Sequence, residues 1–384
     1  MNGALANGAT TNREIPERKA KGRMTSERTS LTRIRRAGGA SALALAILGV
    51  GSAGTAQAAP VGCGSVVTQS TTLTADVGPC NQGGLVIGAD NITLDLGGHT
   101  VFGKTRSGDG IGIAIPDHTG VTVKNGTVRL FDAGVGILRG GRNTVTAITA
   151  RDNVGATKFN SKFGAGTGIG ITLSSNNTIS ANTVVQNGPF SGIEVLGDTA
   201  SAATPSSGNT ITGNQVVNNN VAHGGVNEDD GIRIEGPNAT GNTIQGNTVR
   251  GNGLDGIALF ADQGTGFPNS GNTVASNNVQ GNGFHDKGHR KGDGIVLFGA
   301  PGSVTVKGAD STNVSANTVQ GNAANGIRVA SMQNTITSNN ATGNVAFPGL
   351  IKTFDLNDRN LTPPCDANTW SGNTYGTRNL TCIN

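Results

Sequence analysis

Four aspartates stand at the start of glycine-isoleucine segments: Asp229 and Asp230 in EDDGIRI, Asp255 in LDGIALF and Asp293 in GDGIVLF. Carboxylates grouped in this way are suited to three kinds of chemistry. An acid and a base or nucleophile flanking a sugar linkage hydrolyse it. A base beside a cation such as Arg233 or His285 can take a proton next to a carboxylate and drive an elimination. A group of acids can also hold a hard cation, with Ca²⁺ the candidate, although the spacing matches no EF-hand loop. The loops leading into the first and last of these segments, residues 221–230 and 283–293, are long and carry His223, His285 and His289. His285 and His289 are four apart, but in a Gly-rich loop that is not the helical spacing of a zinc pair.

The same residues have plainer roles. Asp before Gly is a common turn pair, and Asp109-Gly110-Ile111 repeats it far from the long loops. Asp230, Asp255 and Asp293 are expected to serve their turns first. Asp229 is not needed for a turn, and stacked like charges cost energy unless something binds them. Glu194 and Arg233 read as a surface ion pair. Phe260 and Phe298 stack on each other or offer a platform to a sugar ring. His99 and His118 lie in the N-terminal part, away from these loops.

What positions these residues is a repeat. Asparagines recur at five-residue steps, as in Asn177, Asn182, Asn187; Asn209, Asn214, Asn219; and Asn242, Asn247, Asn252. Between them lie short pieces such as NTITGNQVVNN, followed by the strands GIEVL, GIRIE, GIALF, GIVLF and GIRVA. Apolar residues alternate with period two, which excludes helical repeats and sends Ile232 and Ile234, or Ile257 and Leu259, to one side. The closest strand copies, at Gly231 and Gly256, are 25 positions apart, too short for a propeller blade. The repeat predicts coils of three short strands, stacked so that each buries its neighbour's apolar side. Asn is expected to tolerate the left-handed bends and to bond the Asn above it.

Registering the strands on their glycines produces ladders. Glu194, Arg233, Ala258, Val296 and Arg328 face outward; Ser191, Asp230, Asp255, Asp293 and Asn325 occupy the preceding turn. With the minimal loop 253–255 between two long ones, the strands are expected to floor a groove. Asp229, Asp230, Asp255 and Asp293 line it, His223, His285 and His289 wall it, and Phe260 and Phe298 lie on its floor.

The 384-residue chain contains 62 Gly, 11 Phe, one Trp and one Tyr, a composition for tight turns rather than a conventional aromatic core. Basic residues Arg33, Arg35 and Arg36 precede the apolar run from Ser41 to Val50, and AQA at Ala56–Ala58 offers a cleavage site. Residues 1–58 are therefore expected to be a leader and secretion signal, with Met24 as an alternative start, and residues 59–384 the functional domain. The apolar run is too short to span a membrane. The leader holds nine basic and three acidic residues, which leaves the mature chain 19 basic and 21 acidic. Its net charge of −2 removes the electrostatic case for nucleic acid. Cys63 and Cys80, like Cys365 and Cys382, are 17 positions apart near the two ends of the mature chain, and in a secreted protein they read as two local disulfides.

The NTI…N…N and DGI repeats, the opening CGSVVTQSTTLTADVGPC with GLVIGADNITLDLGGHTV, and the ending CDANTWSGNTYGTRNLTCIN resemble secreted right-handed parallel β-helix proteins of the pectate-lyase-like fold. The resemblance covers residues 61–384 and implies an all-β, single-stranded solenoid with end caps near 61–100 and 350–384. It also implies an extracellular polysaccharide or cell-wall glycan as partner, bound and in some members cleaved by a lyase or hydrolase. EDDGIRI resembles the paired-aspartate strand of polygalacturonase-type hydrolases, mapping onto Asp229 and Asp230, but the His-Gly and Arg-Ile-Lys motifs of that family are absent. A non-catalytic cell-wall or surface-binding solenoid is the rival reading.

Overall fold

The computed structural model describes residues 61–105, 110–155, 166–197, 205–220, 230–260, 269–284, 292–299, 308–344, 352–360 and 367–384. These residues form parallel strands and no α-helix. One full coil consists of Ile232–Glu235, Thr243–Gln245 and Thr248–Arg250, and the next of Ile257–Phe260, Thr273–Ala275 and Asn278–Gln280. The glycine-isoleucine strands make an 11-stranded parallel sheet running from Val66–Val67 to Leu356–Asp358. The other two strands of each coil pair with their counterparts above and below.

Stacking in register makes the core a set of aliphatic columns. Ile193, Ile232, Ile257, Ile295 and Ile327 form one, and Val195, Ile234, Leu259, Leu297 and Val329 another, all fully buried. On the far side Val184, Val216, Val249, Val279 and Val319 form a third. No coil could bury these side chains alone, so the stability of each strand is that of its neighbours.

The buried corners are asparagine. In the row Asn182, Asn214, Asn247, Asn277, Asn317, Asn339, each Oδ1 after the first accepts both the backbone N–H and the Nδ2–H of the Asn one coil earlier; Asn214 donates to Asn247 in this way at 2.9 Å twice. The second Nδ2 proton goes to a backbone carbonyl, as from Asn247 to Ile211 at 2.9 Å. Each amide thus satisfies donors and acceptors that a buried turn would otherwise strand.

The left-handed bends do not fall on these asparagines. They fall on the residue before each one: Ala181 (φ 53°), Gly213 (φ 63°), Gly246 (φ 64°) and Ser276 (φ 54°). The reason is geometric, since the left-handed residue turns the chain and lets the following Asn point into the stack. Glycine dominates there for its freedom at positive φ. A different demand fixes the glycine before each isoleucine. A Cβ on Gly231 would sit 2.5 Å from Val249 Cγ1, 2.6 Å from the Gly256 carbonyl and 2.7 Å from Asn252 Nδ2.

At the N-terminal end Cys63 and Cys80 are bonded, with Cα atoms 5.5 Å apart, as their spacing predicts. Cys382 is also disulfide-bonded, while Cys365 lies outside the described residues. Among the described residues, no helix is long and apolar enough to cross a membrane.

Candidate functional site

The turn before each glycine places Asp230, Asp255, Asp293 and Asn325 on successive coils. Their side chains do what the corner asparagines do. Asp255 donates its backbone N–H to Asp230 Oδ1 at 3.0 Å, Asp293 to Asp255 Oδ1 at 2.6 Å, and Asn325 to Asp293 Oδ1 at 2.9 Å. Asn325 adds an Nδ2 bond to the same Asp293 oxygen at 2.7 Å, and its own Oδ1 accepts the N–H of Phe354. The three aspartates are 0%, 5% and 3% exposed.

Two arginines answer these buried charges. Arg233, three residues after Asp230, donates Nη1 to Asp230 Oδ2 at 2.6 Å and Nε to Glu235 Oε2 at 2.8 Å. Arg328 reaches back one coil and donates Nε to Asp293 Oδ2. Burial works against the charge of Arg233, but Glu235 and Asp230 outweigh it and raise its pKa well above the usual value. Burial likewise opposes the charge on Arg328, which Asp293 and Asp255 restore. Asp230 is pushed up by burial, with Arg233 pulling it back. Asp255 lies between the two paired acids. Burial, then Asp230 and Asp293, push its carboxyl well above the usual carboxylate value.

The arginines lie against the aromatic pair. Arg233 stacks on Phe260 at 4.7 Å from the ring centroid and Arg328 on Phe298 at 4.8 Å, while the two rings sit 4.7 Å apart, tilted by 56°. The outward-facing Ala258 and Val296, in register between the two arginines, are fully buried, whereas Phe260 and Phe298 on the same face are half-buried.

Of the residues picked out from the sequence, the fold brings together Asp230, Arg233, Asp255, Phe260, Asp293 and Phe298. Asp229, His223, His285 and His289 lie outside the described residues. The expected surface ion pair of Glu194 with Arg233 is replaced: Arg233 is 3% exposed and pairs within its own coil, because Asp230 and Glu235 flank it in sequence. His99 and His118 meet Asp76 and Asp90 near the surface, at 3.3 and 3.0 Å, away from this cluster. Glu235, Asn325 and Arg328 complete the arrangement. Arg328 shares Arg233's register and Asn325 shares that of the aspartates, which was the signal available for them. Among the described residues, no group of three or more His, Cys, Asp or Glu side chains is arranged to hold a metal ion.

The profile of the right-handed β-helix region family matches residues 78–236 and 190–341, so the coils and the site they carry are those of a right-handed β-helix. The chain belongs to that family. No curated protein sequence matches it. Similar solved structures include the Dettilon tailspike protein, at 17% identity and a TM-score of 0.46 over 83% of this chain. The chain spans 59% of the tailspike's length. The pectate lyase Pel9A matches at 14% identity and a TM-score of 0.46, over 83% of this chain and 79% of its own. The A-module of a mannuronan C-5 epimerase from Azotobacter vinelandii matches at 14% identity and a TM-score of 0.41, over 82% and 80%.

Proposed function

We propose that this is a secreted glycan-binding β-helix whose contact surface is the outer side of the glycine-isoleucine sheet around Phe260 and Phe298. The observation that carries the reading is the half-buried ring pair framed by Arg233 and Arg328, a rigid aromatic platform held from both sides by cations. Aromatic faces take the C–H faces of sugar rings, and a platform built on stacked strands needs no ordering when the ligand arrives. The leader-like residues 1–58 support export to the compartment where such polymers are found. Binding is favoured over cleavage because hydrolysis asks for an acid and a base both open to one linkage. Two of the three described aspartates are tied to arginines.

The test is affinity electrophoresis of the mature protein through gels containing a panel of polysaccharides. Reducing ends and unsaturated-product absorbance are followed in parallel. Retardation by at least one polymer, lost in the Phe260→Ala/Phe298→Ala double variant, is the expected result. Unchanged retardation in that variant would move the contact surface elsewhere, and accumulation of either product would make the protein an enzyme.

A further inference from the structure

The ladder of acids is one cation short. Asp230 has Arg233 and Asp293 has Arg328, but at Asp255 the residue three positions on, where Arg233 stands in its coil, is Ala258. Asp255 Oδ1 accepts the N–H of Asp293, and no described residue donates to Oδ2, although the residue is only 5% exposed. Structure alone does not ask for a carboxyl here. Asn325 holds the equivalent turn with an amide, its Oδ1 accepting the next coil's N–H at 2.9 Å and its Nδ2 donating to the acid below. An acid at 255 keeps the one bond the turn needs and adds a buried charge beside two others.

We infer that the missing cation comes from a ligand: Asp255 receives the protonated amine of an amino sugar, and the glycan bound on this face is an amino polysaccharide. The inference rests on the glycan-binding reading of the same face and names the polymer. Among the described residues, Arg233 donates to Asp230 and Glu235 and Arg328 donates its Nε to Asp293, so both guanidinium groups of this cluster already hold carboxylates. Asp255 keeps 5% of its surface exposed, and the rings of Phe260 and Phe298 attract cations and sugar faces alike. Among the described residues, the charged and titratable groups facing Asp255 are Asp230, Asp293 and Arg328, with Glu235 and Arg233 one step further. Burial and these acids push the carboxyl up, and an ammonium beside it favours the ionised form, so binding is coupled to proton release.

Calorimetric titration of glucosamine oligomers, N-acetylglucosamine oligomers and oligogalacturonate decides the matter, using the wild type and Asp255→Asn in two buffers of different protonation enthalpy. Glucosamine oligomers should bind the wild type tightest and with release of protons. Asp255→Asn should weaken them about tenfold or more while folding normally. Equal affinity of wild type and variant for glucosamine oligomers, or tightest binding of oligogalacturonate, overturns the inference. If N-acetylated oligomers bind both proteins equally well and glucosamine oligomers bind no better, the glycan-binding reading survives and the amine does not. If no oligomer binds, both fall.

Discussion

Asp230 Oδ1 accepts the backbone N–H of Asp255 one coil away, so a side chain that could have faced a substrate instead closes the turn of its neighbour. The carboxyl of Asp255 repeats this for Asp293. The consequence is a stability that depends on pH with a definite sign. Asp255 has a folded pKa raised above its unfolded value by burial and by Asp230 and Asp293. The folded state therefore holds a proton that the unfolded chain gives up, and stability falls as pH rises from the ordinary carboxylate range through the folded pKa. Asp255→Asn removes this term and keeps the acceptor. Thermal melts should show the variant matching the wild type at pH 4 and melting higher than it at pH 8. A variant that melts lower at both pH values would mean that the carboxyl itself holds the turn.

Asp230 behaves differently because its charge is answered. Asp230→Ala leaves Arg233 buried with only Glu235 and strands the N–H of Asp255. Removal of one partner from such a pair costs about 3–5 kcal/mol. Urea unfolding should show a loss of that size, and a loss under 1 kcal/mol would put water where the structure buries the Asp230–Arg233 pair.

The asparagine rows make an equally direct prediction. Asn247→Ala deprives Asn214 of its acceptor for N–H and Nδ2–H, and frees the acceptors at Ile211 and Asn277. With unpaired buried groups costing about 1–3 kcal/mol each, the variant should lose roughly 3–5 kcal/mol in denaturant unfolding.

Glycines of two kinds should respond oppositely to alanine. Gly231→Ala pushes a methyl into Val249 and the Gly256 carbonyl and should cost about 1–3 kcal/mol or more. Gly246 has open space around its Cβ position and a φ of 64°, a conformation Ala181 already adopts at the same place in another coil. Gly246→Ala should cost only about 1 kcal/mol, the strain of the left-handed region. Paired thermal melts of the two variants separate these outcomes.

Much of the fold was legible because the period of the pattern is the period of the structure. Once Ile232, Ile257 and Ile295 are aligned, the registers of Arg233 with Ala258 and of Glu235 with Phe260 follow, and the strands pair that way. The Asn-to-Asn bonding followed from the five-residue steps. What sequence could not assign was which neighbour each polar group would choose. The left-handed bends went to the residue before each buried asparagine, whether Gly, Ala, Ser or another Asn such as Asn176 and Asn218, because only there does the following side chain point into the stack. Arg233 chose Asp230 and Glu235 over Glu194 because its guanidinium is buried, and burial is decided by what packs above the sheet. Alternation along the strand assigned Ala258 and Val296 to the outer face, but their full burial was not written in it.

Every asparagine row runs one way. One Nδ2 proton of each row asparagine goes to the next coil, except at Asn272, which gives it to Asn269 in its own coil, so near the C-terminal end of the stack the rows arrive with protons to give. Asn344 delivers its pair to the carboxylate of Asp355, at 2.9 and 3.1 Å, and Asn368 delivers to Asp358. Asn373 delivers to the backbone carbonyl of the last residue, Asn384. A carboxylate or a carbonyl accepts without donating, so side-chain amide donation ends at these three acceptors. The amides that hold the middle of the stack together are thus satisfied near its C-terminal end by acceptors from the chain itself, so that no row leaves a buried donor facing solvent there.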